Sequence, residues 1–398
     1  MIDYSSLLSM KVQEIKPSGI RKFSELAAEM GNVISLGVGE PDFQTPWAIR
    51  QAGIESLKRG RTHYSPNAGF QELKQEIDRY LERRMGLSYT EEETMVTIGG
   101  SEAIDMMIRA VVNPGDEVLI PEPCYVSYDP IARLTGAKVV SIPTRFEDDF
   151  RLTPESLKAA ITPRSKLLIF PYPNNPTGGI MEQGDLEAIA EILRETNILV
   201  LSDEIYAELT YGGKKHVSIA LIEGMRERTI VVNGFSKTYA MTGWRLGYAV
   251  GPAPLIREMT KIHQFAIMCA PTTSQLAAVE ALRCCDEEIE AMRDEYDMRG
   301  KYLVGELNRI GLECFQPQGA FYVFPSIRCT GLSSEEFCER LLREERVAVI
   351  PGSAFGDWGE GHIRISYCYS LQHLKVAVRK IEKFLSKLER EKNENGQG

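Results

Sequence analysis

One stretch of the chain indicates both the fold and the chemistry, and it reads Val232-Asn233-Gly234-Phe235-Ser236-Lys237-Thr238-Tyr239-Ala240-Met241-Thr242-Gly243-Trp244-Arg245-Leu246-Gly247. An apolar strand over 229–232 runs into a polar turn that contains Lys237, and Arg245 follows inside a Gly-Trp-Arg turn. This spacing favours a lysine amine that attacks a carbonyl beside a cation that binds phosphate. The alternative is an ordinary surface lysine in the first turn of a helix, and the rest of the chain has to decide between the two.

The composition is that of a globular protein with more than one core. A chain of 398 residues exceeds one ordinary domain, so two domains are expected. The hydrophobic content of 43% and the charged content of 26% are typical of folded proteins. A formal net charge of −10 disfavours nucleic acid and an anionic membrane as partners. Any anionic ligand must therefore be held by local arginines, lysines and backbone N–H groups.

Targeting and metal-binding signals are missing from the sequence. No apolar run approaches the roughly 20 residues that span a bilayer, and the first residues lack the pattern of a signal peptide. The eight cysteines form no Cys-x-x-Cys pair, and the five histidines show no ligand spacing. We therefore expect a cytoplasmic protein without a metal site.

Short apolar runs alternate with helical segments through the first two thirds of the chain. The runs cover 33–36, 95–98, 118–120, 138–140, 167–170, 199–201 and 230–232, and helices are expected over 18–30, 45–58, 70–85 and 185–195. Continuous apolar runs fit parallel strands that are buried on both faces. The pattern predicts an α/β fold, with a three-layer α/β/α large domain around a mostly parallel sheet. Ligands should lie at the carboxyl ends of the strands.

The last third has a different, α+β pattern. A long helical stretch over 271–307 precedes apolar runs at 312–315 and 321–324, a helix near 334–344, strands over 347–350 and 362–366, and a helix over 371–388. The polar tail 389–398 is expected to fray. We predict an N-terminal arm and part of a small domain over 1–45, a large ligand-binding domain over 46–282, and the small domain over 283–398.

Glycines and polar residues follow several of the expected strands. Gly99-Gly100-Ser101-Glu102 follows one of them, and free N–H groups at a helix start favour an anion there. Many α/β turns look similar, so this signal is weak alone. A glycine-rich turn around Gly39 allows close approach of a ligand, although an ordinary loop is about equally consistent with it.

Three further motifs carry groups that could do chemistry. Asn175-Pro176-Thr177-Gly178 follows a strand, and Ser202-Asp203-Glu204-Ile205-Tyr206 follows another, with Asp203 and Tyr206 on one side of a helical turn. Asp203 could equally be a helix N-cap. Arg364 lies in an apolar strand, where a paired structural arginine is the alternative.

Together and in this order, these motifs resemble the class I/II aminotransferases, the fold type I enzymes that depend on pyridoxal phosphate. The resemblance runs from about Gly19 to the C-terminal helix, and the overall pattern is similar to that of bacterial and archaeal aspartate and aromatic aminotransferases. Its most specific parts are the Asn175 motif, the Asp203 motif and the segment from Ser236 to Arg245.

The resemblance implies roles for the residues that face the cofactor ring. Lys237 would form the Schiff base with the cofactor and move the proton of the substrate Cα. Asp203 would pair with the pyridine nitrogen and keep it protonated. Tyr206 and Asn175 would bind the 3′ oxygen of the ring, and Tyr125 would stack on the ring.

The resemblance also implies a phosphate site and a substrate site. Phosphate would be bound by Gly100, Ser101, the N–H of Glu102, Ser236 and Arg245. Tyr64 would reach the phosphate of a neighbouring subunit, which implies a homodimer with shared active sites. The substrate α-carboxylate would be bound by Arg364, with Gly39 and Asn175 in the same pocket. The segment that contains Ile20 and Arg21 would cap the pocket.

Two positions depart from the family pattern. Many members carry a serine where this chain has Gly234, which removes one donor to the phosphate unless Ser236 compensates. Some aspartate-specific members carry a lysine where this chain has Ser101, which argues against strict specificity for aspartate. As a hypothesis, Arg21 supplies the contact to the distal carboxylate instead.

The expected reaction is reversible transamination between an L-amino acid and a 2-oxo acid such as 2-oxoglutarate. Within the same cofactor class, a C–S β-lyase and an N-acetyl-diaminopimelate aminotransferase remain alternatives. A ligand-sensing domain of a transcriptional regulator is disfavoured by the acidic charge. A nicotinamide-dependent dehydrogenase is disfavoured because no strand runs into Gly-x-Gly-x-x-Gly.

Overall fold

The structure is a computed structural model that describes residues 2–17 and 19–395. Residue 18, where the first long helix was expected to begin, and residues 396–398 of the tail lie outside this range. The strands are β1 (Ile34–Ser35), β2 (Thr94–Thr97), β3 (Glu117–Glu122), β4 (Lys138–Pro143), β5 (Ser165–Phe170), β6 (Leu199–Asp203), β7 (Thr229–Gly234), β8 (Gly247–Val250), β9 (Tyr322–Val323), β10 (Val347–Ala348), β11 (Ile350–Pro351) and β12 (Ile363–Ser366).

Helices precede, connect and follow these strands. They are α1 (Met10–Gln13), α2 (Gly19–Met30), α3 (Trp47–Lys58), α4 (Gln71–Met85), α5 (Gly99–Val111), α6 (Tyr128–Leu134), α7 (Pro154–Ala160), α8 (Gln183–Arg194), α9 (Phe235–Thr238), α10 (Ala253–Ala266), α11 (Thr272–Cys284), α12 (Asp286–Arg309), α13 (Ser334–Glu345) and α14 (Leu371–Asn395).

A seven-stranded sheet forms the centre of the described chain, in the order β2-β8-β7-β6-β5-β3-β4. The strands β7, β6, β5, β3 and β4 pair in parallel, whereas β8 is antiparallel to both β2 and β7. The carboxyl ends of β2, β5, β6 and β7 therefore lie at one edge of the sheet, together with the amino end of β8. The α/β fold with a mostly parallel sheet is confirmed.

Both faces of this sheet are covered, which explains why its strands are continuously apolar. Successive residues of β3, β5 and β6 enter different apolar clusters. One cluster contains Ile120, Ile169 and Leu201, and the other contains Leu119, Leu168 and Val200. Each strand thus contributes to two cores, and the helices that follow the strands supply the opposite walls.

The remaining strands form two small sheets. β11, β12 and β9 are antiparallel in that order, and β1 pairs in parallel with β10. A third core lies under them, formed largely by α12, α13, α14 and these strands, but it also includes Phe150, Tyr206 and Leu209 from the sequence between β4 and β7. The α+β character of this part agrees with expectation. The domain boundaries at 45 and 282 stay a prediction.

The regular structure differs from the expectation at three places. The long helical stretch is two helices, because the backbone leaves the helix at Cys285 (φ −113°, ψ 29°) and α12 begins with the acidic residues Asp286, Glu287 and Glu288, which favour a helix start. Residues 312–315 form no regular element. Strand β8 was not predicted, because its four residues begin with glycine and follow directly on the Trp244-Arg245 turn.

The C-terminal tail was also predicted wrongly as far as it is described. Helix α14 continues to Asn395 instead of ending near 388. Its last turns are held to the protein by an ion pair between Glu391 and Arg340 and by a hydrogen bond from Lys392 to the carbonyl of Cys329. None of the helices in the described chain combines the length and apolar content that a bilayer crossing requires.

Gly247, the first residue of β8, packs against the start of α5. We expect Gly247→Ala to destabilise the protein. A methyl group there would lie 2.7 Å from the carbonyl carbon of Gly99, 2.8 Å from the nitrogen of Gly100 and 3.0 Å from the oxygen of Asn233. These are backbone atoms that cannot rotate away, so overpacking should cost about 1–3 kcal/mol. Urea unfolding measures this loss.

The matched control is Gly305→Ala. A methyl group at Gly305 meets no atom within 4 Å, and the residue lies inside α12. This control should be neutral or stabilising by up to about 1 kcal/mol. Equal unfolding midpoints for Gly247→Ala and the unmodified protein would contradict the packing argument.

Candidate active site

The chemistry-bearing residues collect where the strands of the large sheet end. Gly100 follows β2, Asn175 follows β5, Asp203 ends β6 and Lys237 follows β7. Because these four strands run in the same direction, their carboxyl ends meet at one edge. Arg245 joins them because it precedes β8, whose amino end lies at that edge.

A cavity of about 360 Å³ opens at this edge. That volume lies at the lower end of the range for small-molecule sites. The predicted site residues that line it are Ile20, Gly39, Gly100, Ser101, Tyr125, Asn175, Asp203, Tyr206, Ser236, Lys237, Arg245 and Arg364. Residues that are far apart in sequence, from α2 to β12, are thus brought to one place.

Lys237 is held by a backbone carbonyl instead of a carboxylate. Its Nζ donates a hydrogen bond of 2.6 Å to the carbonyl oxygen of Gly39, and it makes no ion pair within the described residues. Burial, the largest cause, lowers the pKa of Lys237 to about 8. A fraction of the amine is therefore neutral near pH 7, which is the form that attacks a carbonyl.

Asp203 is a buried carboxylate with neutral donors. Its Oδ2 accepts a hydrogen bond of 2.6 Å from the hydroxyl of Tyr128, and its Oδ1 accepts one of 3.2 Å from the N–H of Ile205. Burial raises the pKa of Asp203 to about 6, and the hydrogen bond from Tyr128 opposes that rise. No helix of the described chain begins directly after Asp203, so this carboxylate is not a helix N-cap. It lines the cavity, where a cationic partner would stabilise it.

Tyr206 also lines the cavity and is buried. Its hydroxyl lies 2.8 Å from the hydroxyl of Tyr322, which belongs to β9. Burial, the largest cause, raises the pKa of Tyr206 well above its ordinary value. Tyr206 therefore stays protonated and can donate a hydrogen bond into the cavity.

Arg364 is buried in β12 without a carboxylate to neutralise it. Only 2% of the residue is exposed, and the ion pairs of residues 2–17 and 19–395 do not include it. Its Nη1 donates to Oδ1 of Asn175 at 2.8 Å, and its Nη2 donates to the carbonyl of Gly37. A buried guanidinium without a counter-ion is costly. The paired structural arginine considered from the sequence is therefore wrong, and the geometry suits binding of an anion.

A second cation lies at the start of α5. Arg245 has a left-handed backbone (φ 51°), and its Nη1 donates to the carbonyl of Thr242 at 3.1 Å. Its Nη2 would lie 2.7 Å from a methyl group added to Gly99, so the guanidinium lies against the first turn of α5. A helix N-terminus beside an arginine is a site for a phosphate group.

Gly234, which departs from the family pattern, lies where β7 and β8 approach closely. A methyl group at Gly234 would lie 3.0 Å from Cα of Gly247 and 3.1 Å from the oxygen of Leu246. A serine at this position would therefore press on strand β8. To accept the phosphate donor of a serine here, β7 and β8 would have to move apart by a few tenths of an ångström.

Three of the predicted residues lie outside the lining of the cavity. The side chain of Glu102 accepts hydrogen bonds from the N–H of Ile98 and bonds to His263 at 2.7 Å, so only its backbone N–H remains a candidate. Arg21 is exposed, so its contact with a distal carboxylate stays a prediction. Tyr64 is 81% exposed, and its reach into a second copy also stays a prediction.

Tyr128 and Tyr322 are lining residues that sequence reasoning missed. Tyr128 follows three positions after Tyr125, at the start of α6, a spacing that could have indicated it. Nothing in the strand around Tyr322 distinguishes that residue from its aromatic neighbours. In the described part of the chain, no group of three or more His, Cys, Asp or Glu side chains is arranged to hold a metal ion.

The comparisons with known proteins agree with this geometry. The family described as "Aminotransferase class I and II" matches residues 31–381. An aspartate aminotransferase of Pyrococcus abyssi is 46% identical over 383 residues, which cover 95% of this chain and 98% of that protein. A Bacillus subtilis protein named "Probable N-acetyl-LL-diaminopimelate aminotransferase" is 42% identical over 382 residues, which cover 96% of each.

A solved structure of an aminotransferase has the same fold as this chain. The crystal structure of an aromatic aminotransferase from Pyrococcus horikoshii OT3 superimposes with a TM-score of 0.88 at 45% identity, covering 92% of this chain and 99% of that one. Family match, sequence identity and fold thus agree over nearly the whole length. The chain belongs to aminotransferase class I and II, a family of pyridoxal-phosphate-dependent transaminases.

Proposed function

We propose that the cavity binds pyridoxal phosphate and that the protein transfers an amino group between an L-amino acid and a 2-oxo acid such as 2-oxoglutarate. The observation that carries the proposal is that Lys237, Asp203, Arg245 and Arg364 line one cavity of about 360 Å³. Pyridoxal phosphate supplies an aldehyde and an electron-accepting ring. The residues fit this group, since an amine, a carboxylate and a phosphate-binding cation are all present.

Lys237 is proposed as the residue that joins the cofactor and moves the substrate proton. Its pKa of about 8 leaves both protonation states accessible near neutral pH. A group with such a pKa can accept a proton from one atom and return it to another. The Gly39 carbonyl holds the amine in place through its hydrogen bond.

Asp203 is proposed to face the ring nitrogen. A carboxylate there stabilises a proton on that nitrogen, which makes the ring a better electron acceptor. Tyr128 supports Asp203, because its hydrogen bond orients the carboxylate and favours its charged form. Tyr206 and Asn175 are proposed to donate to the ring oxygen, and Tyr125 to stack on the ring.

Arg245 and Arg364 are proposed to bind different anions. Arg245, with Gly100, Ser101, Ser236 and the N–H of Glu102, is proposed to bind the cofactor phosphate. Arg364 is proposed to bind the substrate α-carboxylate, with Gly39 and Asn175 beside it. The reason is that Arg364 is buried between small-sheet strands, whereas Arg245 lies at the N-terminus of α5.

We further propose a cytoplasmic homodimer, as the family resemblance implies. Tyr64 is exposed and would contact the phosphate in the partner's site. The choice of amino donor is open between aspartate, aromatic amino acids and acetylated diaminopimelate, which are the substrates that the names of the relatives indicate. A C–S β-lyase remains the alternative reaction.

Addition of pyridoxal phosphate tests the proposal directly. The purified protein should develop a visible absorption band, and borohydride reduction should attach the cofactor to the peptide that contains Lys237. Mass spectrometry of the digest identifies the modified residue. Lys237→Arg is the control and should show no attachment, and attachment of the cofactor at another lysine would overturn the assignment.

A panel of amino acids then separates the reactions. A transaminase should lose its visible band with the true donor and recover it on addition of 2-oxoglutarate. A β-lyase should release pyruvate and ammonia from cystathionine-like substrates without any 2-oxo acid. Aspartate, phenylalanine and N-acetyl-LL-diaminopimelate rank the three donor classes.

Removal of the Tyr128 hydroxyl should change the pH profile. Tyr128→Phe takes away the hydrogen bond that lowers the pKa of Asp203, so that pKa rises. The carboxylate then becomes protonated at a higher pH during acidification. The acid limb of the kcat/KM profile should therefore move to higher pH. kcat/KM should fall by up to about tenfold at the acid end of the profile and change little at pH 8.

The matched control is Tyr80→Phe. Tyr80 is also buried and also donates to a buried carboxylate, Glu208, outside the residues that line the cavity. This control should lower stability and leave the pH profile unchanged. If the acid limb of kcat/KM lies at the same pH in Tyr128→Phe and in the unmodified enzyme, Tyr128 does not act on Asp203.

Arg364→Lys should weaken substrate binding. Lysine keeps the charge but loses the planar fork that binds a carboxylate through two parallel hydrogen bonds. Loss of one charged hydrogen bond lowers kcat/KM by about ten- to a hundredfold, mainly through KM. Steady-state kinetics with two different donors should give similar losses, since both carry the same α-carboxylate.

Arg84→Lys serves as the control for this exchange. Arg84 binds Glu208 and lies outside the cavity lining. Its exchange should leave KM unchanged. An unchanged KM for Arg364→Lys as well would remove the assignment of the carboxylate site.

A further inference from the structure

Tyr322 is the lining residue that contacts two of the proposed functional groups at once. It belongs to β9, where its backbone pairs with Ser366 of β12, and only 1% of the residue is exposed. Because β12 also carries Arg364, the same small sheet positions both side chains. Tyr322 belongs to none of the motifs that carry the family resemblance.

The hydroxyl of Tyr322 occupies a fixed position. It lies 2.8 Å from the hydroxyl of Tyr206. A methyl group added to Gly39 would lie 1.9 Å from the Tyr322 hydroxyl, so the glycine is needed to leave room for this phenol. The titratable groups that act on Tyr322 are Arg364, Cys368, Tyr206 and Tyr125.

The number of available protons sets the direction of the hydrogen bond between Tyr206 and Tyr322 in the working enzyme. A phenol carries one proton. If Tyr206 donates its proton to the cofactor oxygen, it has none left for Tyr322. Tyr322 must then donate to Tyr206, and this second hydrogen bond polarises Tyr206 and strengthens its own donation.

The ring of Tyr322 contacts the buried guanidinium of Arg364. The Arg364 Cζ lies 4.5 Å from the centroid of the Tyr322 ring and 4.8 Å from that of Phe355. Attraction between a cation and a ring face is strongest where water is excluded. Since Arg364 is not in an ion pair within the described residues, the two rings and its hydrogen bonds fix its orientation.

We propose that Tyr322 is a positioning residue that links the cofactor side of the site to the substrate side. Its hydroxyl supports Tyr206 at the cofactor oxygen, and its ring holds Arg364 for the substrate carboxylate. The inference rests on the proposed function, because it assumes that Tyr206 faces the cofactor.

The first test is a pH titration of the visible absorption of the holoenzyme. A donor to the ring oxygen favours the deprotonated form of the chromophore. Tyr322→Phe weakens that donor, so the apparent pKa of the absorption change should rise by about 0.5 to 1 unit. Tyr206→Phe should shift it further in the same direction.

A double variant shows whether Tyr322 acts through Tyr206. In the background of Tyr206→Phe, the further exchange Tyr322→Phe should leave the apparent pKa unchanged, because the group on which it acts is missing. Additive shifts would overturn the proposed path. Tyr367→Phe is the control, since Tyr367 is buried and donates at 3.0 Å to the carbonyl of Ala320.

The ring is tested separately by kinetics. Tyr322→Phe keeps the ring and should leave KM for the amino donor within about twofold. Tyr322→Leu removes the ring and should raise KM about fivefold or more, since contacts of a cation with an aromatic face contribute about 1 kcal/mol. Equal KM values for both variants would overturn this half of the proposal.

Failure of the inference can be distinguished from failure of the proposed function. If the unmodified protein develops no visible band with pyridoxal phosphate, the proposed function fails. If the band forms, and its apparent pKa is the same in Tyr322→Phe, Tyr367→Phe and the unmodified protein, only the role of Tyr322 fails.

Discussion

Each charged side chain of the cavity is held by neutral groups instead of by an opposite charge. Lys237 donates to a carbonyl, Asp203 accepts from a phenol and an N–H, and Arg364 donates to an amide oxygen and a carbonyl. Arg245 likewise donates to a carbonyl. Neutral partners fix the positions of these groups without adding an opposite charge, so the groups can still attract a charged ligand. This arrangement is costly for the buried Asp203 and Arg364, and the surrounding fold has to enforce it.

The contrast with the next residue in sequence shows how specific this arrangement is. Glu204 directly follows Asp203, but hydrogen bonds within the protein occupy its carboxylate, which lies 2.8 Å from the His216 ring and accepts from the hydroxyls of Ser202 and Ser218. Its side chain is fully buried and does not line the cavity. Two adjacent carboxylates thus have different roles, one structural and one facing the site, because the chain turns between them.

Close backbone approach at glycines makes the geometry possible. Gly234 and Gly247 bring β7 and β8 together and press β8 against the start of α5, which places Arg245 beside a helix N-terminus. Gly39 leaves room for the hydroxyl of Tyr322, while its carbonyl binds Lys237. Larger side chains at these positions would separate the elements on which the cavity depends, so the small residues act on the site through packing.

The sequence by itself determined the α/β class, the parallel strands and most of the groups at their ends, because continuous apolar runs and polar turns are local patterns. It also indicated Lys237, Asp203, Arg245 and Arg364 as the groups that share one site. Only the tertiary structure decided which neutral partner each of them has. Tyr322 and Tyr206 are 116 positions apart, and Arg364 and Asn175 are 189 apart, so no local pattern relates them. Such contacts depend on how the small sheets pack on the large one. The last turns of α14 were not predicted for the same reason, because Arg340 and Cys329 hold them from distant parts of the chain.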